Sequence, residues 1–328
     1  MKVKMVNTIR DVKCRSEVGK RDKNTLCRRA ENRSKEIKMI VRVWEGLGNQ
    51  LFQYAYARSL KEKGYDRVYL ECRRIYRSSF KREDFSVERA YGLKYFNISL
   101  KAVNLEKSLR WKFLEQKTLT EKIRFRMASH RIGHSHFASD YTKKCTHFEF
   151  QPSLYSFGAS TYVMGHFLNI KYFEGIRPIL LKELQLKKAP KIPGNLRELF
   201  KERNTVSIHI RRTDFIKRGH CISYDRYYIR AMDYIKAHVE NPCFLFFSDD
   251  MEWVKNNYGN TTNDCYFVSD GKLKDYEELA LMYRCKHNII ANSTFSFWGA
   301  WLNDNPEKIV IAPQKFGHTF IPKEWIKM

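Results

Sequence analysis

At 328 residues the chain exceeds the size at which one hydrophobic core keeps growing, so two domains are expected. An apolar content of 43% with 14% aromatic residues excludes a disordered chain, and a formal net charge of +25 calls for an acidic partner: nucleic acid, an anionic membrane surface or a phosphorylated substrate. The longest apolar runs, such as Cys243 to Phe247, are too short to span a bilayer, no signal-peptide pattern opens the chain, and the eight cysteines form no Cys-x-x-Cys pair. These features lead to the expectation of a soluble cytoplasmic protein with reduced thiols.

Residues 1–38 hold 13 Lys/Arg against 5 Asp/Glu without apolar periodicity, which reads as a basic N-terminal extension. Attachment to acidic lipids is its functional reading. The preferred one is a solvated extension without a role, or an upstream start codon with Met39 as the true start. Met39 to Trp44 has the pattern of a strand, followed by a glycine turn and a helical run through Leu60. In such a βα turn Gly46 and Gly48 are expected to let the backbone approach a ligand, while Asn49 and Gln50 present amides at the helix start. Asp66 to Glu71 reads as a second strand. Residues 101–144 carry 11 Lys/Arg against 4 Asp/Glu with amphipathic spacing around Leu105, Leu109 and Trp111, the pattern of a solvated basic helix or of a surface docking on an anionic membrane. His130, His134 and His136 lack a carboxylate or cysteine at ligand spacing, so they are expected in a loop and no metal site is assigned. Tyr162 to Phe173 closes the first half, residues 174–186 have an amphipathic helical pattern, and the breaker-rich Lys187 to Gly194 marks a boundary. An acceptor-side α/β domain over 39–190 and a second domain over 195–328 follow.

The second half alternates between strand and helix: strands at Val206–Ile210, Pro242–Phe247, Cys265–Val268, Asn288–Ala291 and Lys308–Ile311, helices at Tyr224–Val239, Asp250–Asn257, Tyr276–Arg284 and Phe295–Leu302. This pattern implies a parallel sheet covered by helices on both faces, and with the first half, two Rossmann-like domains facing a cleft. His209-Ile210-Arg211-Arg212-Thr213-Asp214 stands at the C-terminal end of the first of these strands, where open α/β sheets bind ligands. Guanidinium forks there suit the oxygens of a diphosphate. Asp214 is expected to orient the arginines through a salt bridge, and with His220 it is a candidate general base. Asp249-Asp250 lacks Asp-x-Asp spacing and reads as helix capping. Asn292, Ser293, Thr294 and Ser296 would add a helix start with hydroxyls, a second anion site or a plain cap.

Four stretches occur in one order: Gly46-Leu47-Gly48-Asn49-Gln50-Leu51-Phe52-Gln53-Tyr54-Ala55, His209 to Asp214, Phe246-Phe247-Ser248-Asp249-Asp250, and Asn292 to Asn303 with Phe295-Ser296-Phe297-Trp298-Gly299. Together they resemble the bacterial α-1,2-fucosyltransferase family, glycosyltransferase family 11, from about Met39 to the C-terminus. The resemblance implies a GT-B-like fold and inverting transfer of L-fucose from GDP-β-L-fucose to a terminal galactoside of a surface glycan or lipid-linked oligosaccharide. It places Arg211 against the pyrophosphate, His209 near the nucleotide, Arg212, Asn292, Ser293, Thr294, Ser296 and Phe297 in the donor site, and Asn49 beside the sugar. Transfer is expected to need no metal or other cofactor, since Arg211 would carry the leaving-group charge. The chain departs from the family at Glu45, where Gly is usual, at Phe297, where Trp is usual, and at Leu168 and Ile170 in the Gly165 to Phe173 stretch. An α-1,6 linkage and a basic nucleic-acid-binding protein are the alternatives. The latter is disfavoured because no RNP, KH or zinc-finger pattern is present, so no specific nucleic acid is expected as a partner.

Overall fold

The structure, a computed structural model, describes residues 37–72, 90–103, 136–140, 149–190, 192, 194–217, 219, 224–259, 264–314 and 321–328. Most of the basic extension, most of 101–144, His130, His134 and His220 lie outside these residues. Within the first half, β1 (Lys38–Arg42), β2 (Arg67–Glu71), β3 (Lys101–Val103), β4 (His136–Ser139) and β5 (Thr161–Met164) form one parallel sheet in the order β3-β2-β1-β5-β4. His136 therefore opens a strand and not the expected loop. Met39, Ile40 and Val41 are fully buried because β1 sits mid-sheet with both faces covered. Helix α1 (Leu47–Glu62) joins β1 to β2 and is buried along most of its length. The helix expected over 174–186 is shorter: a 3-10 turn at Glu174–Ile176 precedes α2 (Arg177–Glu183), which starts where Pro178 fits the first turn.

The second half opens with α3 (Gly194–Glu202), an element missing from the expected set. Its start lies inside the breaker-rich stretch, but Leu196 and Leu199 share a buried face three residues apart. There follow β6 (Asn204–Ile210), α4 (Thr213–Lys217), α5 (Tyr224–His238), β7 (Pro242–Ser248), α6 (Met251–Tyr258), β8 (Cys265–Phe267), α7 (Asp275–Arg284), β9 (His287–Ile289), α8 (Thr294–Trp301), β10 (Val310–Ala312) and β11 (Ile326–Lys327). All pairings are parallel, in the order β11-β10-β9-β6-β7-β8. The strand and helix alternation of the sequence is reproduced, with ends displaced by a few residues.

Both sheets hold their first strand in the interior. In the second, the chain leaves β6 for β7 and β8 and then returns to place β9 on the other side of β6, so the strand order reverses between β6 and β9. In the first, the reversal falls between β1 and β5. Ligands in open α/β sheets bind beyond the carboxyl ends of the strands at such reversals.

The two sheets share a core. α8 is buried from Ser296 to Trp301, and its run Phe297-Trp298-Gly299-Ala300-Trp301 carries no polar side chain but the indoles, as an enclosed helix requires. Its Phe297 and Trp298 rings lie 4.9 and 5.0 Å from Phe52 of α1, and Phe173 stacks on Trp298 at 5.3 Å. The C-terminus of α8 is held from both halves: Arg177 Nη2 donates to the carbonyls of Trp301 and Asn303 at 3.2 and 2.9 Å, and Lys308 Nζ to that of Ala300 at 2.9 Å. Among the described residues no helix is long and apolar enough to cross a membrane.

Candidate active site

Beyond the carboxyl end of β6, Arg211 is fixed by two carboxylates. Its Nε lies 2.8 Å from Asp214 Oδ1 and 3.3 Å from Asp249 Oδ2, and the three side chains are only 19–23% exposed. Asp214 thus forms the expected salt bridge with Arg211. The grip of Asp249 was not legible: its carboxylate also accepts from the Arg212 and Thr213 amides and from Thr213 Oγ1 at 2.8, 3.3 and 2.5 Å, capping α4 while facing Arg211. Asp250 caps α6 through the Trp253 amide at 3.3 Å, as its position in the sequence suggested.

Arg212 does not join Arg211. Its Nε is paired with Asp250 Oδ2 at 2.9 Å and its guanidinium lies 3.6 Å from the centre of the Trp253 ring, with 13% of the side chain exposed. The adjacent arginines diverge because successive side chains leave an extended backbone on opposite sides. Only Arg211 lies among the groups gathered at the sheet reversal.

His209, last but one in β6, is 4% exposed, and its Nδ1 has no hydrogen-bond partner among the described residues. Burial and the Arg211 charge, against the opposing charge of Asp249, bring its pKa down to about 3, so the ring is neutral. A buried polar atom without a partner costs about 1–3 kcal/mol, which a ligand hydrogen bond would offset. The His209 ring lies 5.4 Å from Phe295 at the start of α8.

The α8 turn divides its residues. Ser293 Oγ caps the Phe295 amide at 3.3 Å, and Asn292 and Thr294 are half-buried beside it. Ser296 is fully buried and donates to the carbonyls of Ala291 and Ser293 at 3.0 and 3.2 Å, while Phe297 is enclosed in the shared core. Both hold the fold together from the inside, so neither side chain stands on an open face of the turn.

The first-half turn differs from the glycine turn expected. Gly46 has ordinary extended backbone at φ −72°, and a side chain there would meet nothing within 4 Å. The left-handed residue is Glu45, at φ 67°. Gly48 is required by neighbouring chain: a Cβ would fall 2.5 Å from the Phe295 amide nitrogen and 2.6 Å from Thr294 Oγ1, so α1 meets the start of α8 at this point. Gln50 is fully buried, donating to the carbonyls of Glu45 and Ala90 at 2.8 and 2.9 Å and accepting from the Gly92 amide at 2.9 Å. Its amide braces the turn instead of being presented at the helix start. Asn49 Nδ2 donates to Glu45 Oε2, and its buried Oδ1 has no partner among the described residues.

Glu278 on α7 carried no motif signal, because its environment is assembled from distant segments. Burial, reinforced by the charges of Asp275, Asp270 and Asp249, pushes its carboxyl up to about 7 against a hydrogen bond from Ser269. Folding therefore takes up a proton here. The stabilisation is complete below the ordinary carboxyl value of 4.5 and is lost as pH rises through about 7. Glu278→Gln is expected to flatten the fall in Tm between pH 5 and 8; a variant whose Tm falls as steeply as the wild type would place the proton elsewhere. Among the described residues no group of three or more His, Cys, Asp and Glu side chains gathers as a metal cage.

The family model described as Glycosyl transferase family 11 matches residues 36–327. The O-antigen biosynthesis glycosyltransferase WbnK of Escherichia coli is 29% identical over 294 residues, covering 83% of this chain and 92% of its own. An alpha-1,2-colitosyltransferase of Escherichia coli is 28% identical over 297 residues, covering 84% and 91%. The human galactoside alpha-(1,2)-fucosyltransferase 1 is 36% identical over 106 residues, covering 30% and 29%.

Proposed function

Because the chain belongs to glycosyl transferase family 11, we propose that it moves L-fucose from GDP-β-L-fucose to the 2-hydroxyl of a terminal galactoside, with inversion and without a metal. The observation that carries this reading is Arg211, clamped by Asp214 and Asp249 at the carboxyl end of β6 beside His209 Nδ1, which has no partner among the described residues. Breaking the bond from the sugar C1 to phosphate leaves positive charge on the ring and negative charge on the departing diphosphate. Arg211 faces that diphosphate, joined by the start of α8 with Ser293 and Thr294, and His209 donates or accepts at the nucleotide. Asp249 and Asp250 are each engaged by an arginine and by a helix start, which favours Arg211 over a carboxylate-bound cation as the source of compensating charge. Arg212, Gln50, Ser296 and Phe297 then serve the site by bracing it. The relatives' names support the α-1,2 linkage, the galactoside acceptor and a surface glycan as the product.

A second reading keeps the site and changes the sugar, since one relative covering most of both chains is named as a colitosyltransferase. Purified enzyme is given lactose with GDP-fucose or GDP-colitose, with and without EDTA, and product linkage is assigned by NMR. Fucosyl-α-1,2-galactose formed equally in EDTA is expected. Colitosyl transfer alone would select the second reading, and loss of activity in EDTA would overturn metal independence.

A further inference from the structure

Resting on the reading above, we propose that Glu45 is an acceptor contact that relatives with glycine at this position lack: its carboxylate takes a hydrogen bond from a galactoside hydroxyl other than the attacking one. His166 and Asn49 are its positioning residues.

Three of the four departures from the family fall on two turns that meet. Glu45 follows β1, Leu168 and Ile170 follow β5, and between these two strands the order of the first sheet reverses. Leu168 and Ile170 are 7% and 6% exposed and belong to the core. Glu45 and His166, by contrast, are 46% and 27% exposed, and their Oε2 and Nε2 meet across the reversal at 3.1 Å. The place adjoins the candidate donor site, since Gly48 touches Thr294 and Phe295 and the Phe295 ring adjoins His209.

The family's glycine has a physical reason. Position 45 lies at φ 67°, a left-handed conformation that glycine enters freely and other residues only at a cost. Such a conformation persists where the surroundings over-determine it, most often at sites of function. Here the surroundings bond the added side chain, Asn49 Nδ2 and His166 both reaching Glu45 Oε2, and Gln50 Nε2 holds the Glu45 carbonyl at 2.8 Å.

The β5 turn in turn is built to hold His166. Asp140, 1% exposed, accepts from the His166 and Phe167 amides at 2.7 and 2.8 Å. Gly165 keeps that clamp in place, since a Cβ there would lie 2.5 Å from the Asp140 carboxyl carbon. Phe167, itself left-handed at φ 53°, stacks on Tyr56 at 3.8 Å. The imidazole therefore meets the carboxylate from a fixed base, with the half-buried Trp44 ring edge-on to it at 5.1 Å.

The chemistry of the group then selects its ligand. Burial would raise the Glu45 carboxyl, but the hydrogen bond and charge of His166, with Asn49 and Trp44, hold it below its ordinary value, so it is ionised at neutral pH. An ionised carboxylate only accepts, and with about four lone-pair positions it can serve His166, Asn49 and a ligand at once. The ligand must bring a donor, which a sugar hydroxyl does, and a hydrogen bond to a charged acceptor is stronger than one between neutral groups. A carboxylate beside an aromatic ring at the rim of a cleft is thus a site for a neutral sugar.

Transfer to lactose and to lactosides deoxygenated singly at galactose C3, C4 and C6 is measured for wild type, Glu45→Gly and Glu45→Gln. Equilibrium binding of the same sugars to the GDP-loaded enzyme and Tm accompany it. Glu45→Gly should keep or raise Tm, because glycine relieves the left-handed turn. Wild type should lose about tenfold or more in kcat/KM and in affinity on one of the three analogues. Glu45→Gly should lose about as much on lactose itself, chiefly through KM, and nothing further on that analogue, a coupling that a purely structural role would not produce. Glu45→Gln, which keeps a neutral acceptor oxygen, should fall between. Equal losses for wild type and Glu45→Gly on all three analogues overturn the assignment, as does a wild-type enzyme that binds none of the sugars. Coupling that appears only between GDP-fucose and GDP-colitose moves Glu45 to the donor and overturns it as well. Wild-type transfer from either GDP-sugar tests the donor reading by itself, whereas the binding comparison needs no transfer.

Discussion

Arg211→Ala is expected to lower kcat about a thousandfold, equivalent to about 4 kcal/mol of transition-state stabilisation. In the proposed function the guanidinium would meet charge that appears on the diphosphate only as the bond to C1 breaks, so the loss should belong to kcat more than to substrate binding. Part of the change will be structural, because Asp214 and Asp249, 20% and 19% exposed, are left facing each other without their cation. Arg211→Lys separates the two effects. It retains the charge but cannot reproduce a fork that lies against two carboxylates, so it should recover most of the Tm and only part of the rate. Steady-state rates with GDP-fucose and Tm for both variants provide the check, and an Arg211→Ala enzyme within tenfold of wild type would remove Arg211 from the mechanism.

Gly48→Ala is expected to damage both fold and site. The new Cβ would sit 2.5–2.6 Å from backbone atoms of Thr294 and Phe295, and these are held by the α8 cap and by the aromatic core behind it. Relief requires α1 and α8 to separate, which opens the packing of Phe52 against Phe297 and Trp298. Overpacking of this kind costs about 1–3 kcal/mol and more where backbone cannot yield. A Tm lowered by several degrees together with at least tenfold weaker GDP binding is the anticipated outcome. Gly46→Ala is the control, since a side chain there meets nothing within 4 Å and should leave Tm unchanged.

The strands were legible because each central one is buried on both faces and therefore reads as a short apolar run, as Pro242 to Ser248 does. Arg211 was legible for a different reason: polarity rises abruptly where an apolar strand ends. What escaped was every property set by a distant partner. Arg212 looks equivalent to Arg211 in sequence, and only Asp250, 38 residues on, separates their roles. Gln50 appears to offer its amide until Ala90, 40 residues away, is seen to accept it. Ser296 and Phe297 read as part of an anion site because the helix that bears them begins at a hydroxyl-rich turn, yet both side chains are fully buried. The left-handed turn at Glu45 was hidden by its residue type, since the two glycines beside it were the natural candidates for such a conformation. His220 and the histidines at 130 and 134 lie outside the described residues, so their expected roles stand as they were.

The enclosure of α8 bears on how such an enzyme could be re-engineered or could have diversified. A helix that begins against Gly48 of α1 and ends under Arg177 makes one wall of both halves. Exchanging the first half for that of a relative would strip Phe297, Trp298 and Trp301 of Phe52 and Phe173, leaving an oily face unmatched. Variation in the first half is thus more readily accommodated in surface loops above its sheet than by shuffling whole segments, and a working chimera would have to carry the aromatic lining of α1 along with it.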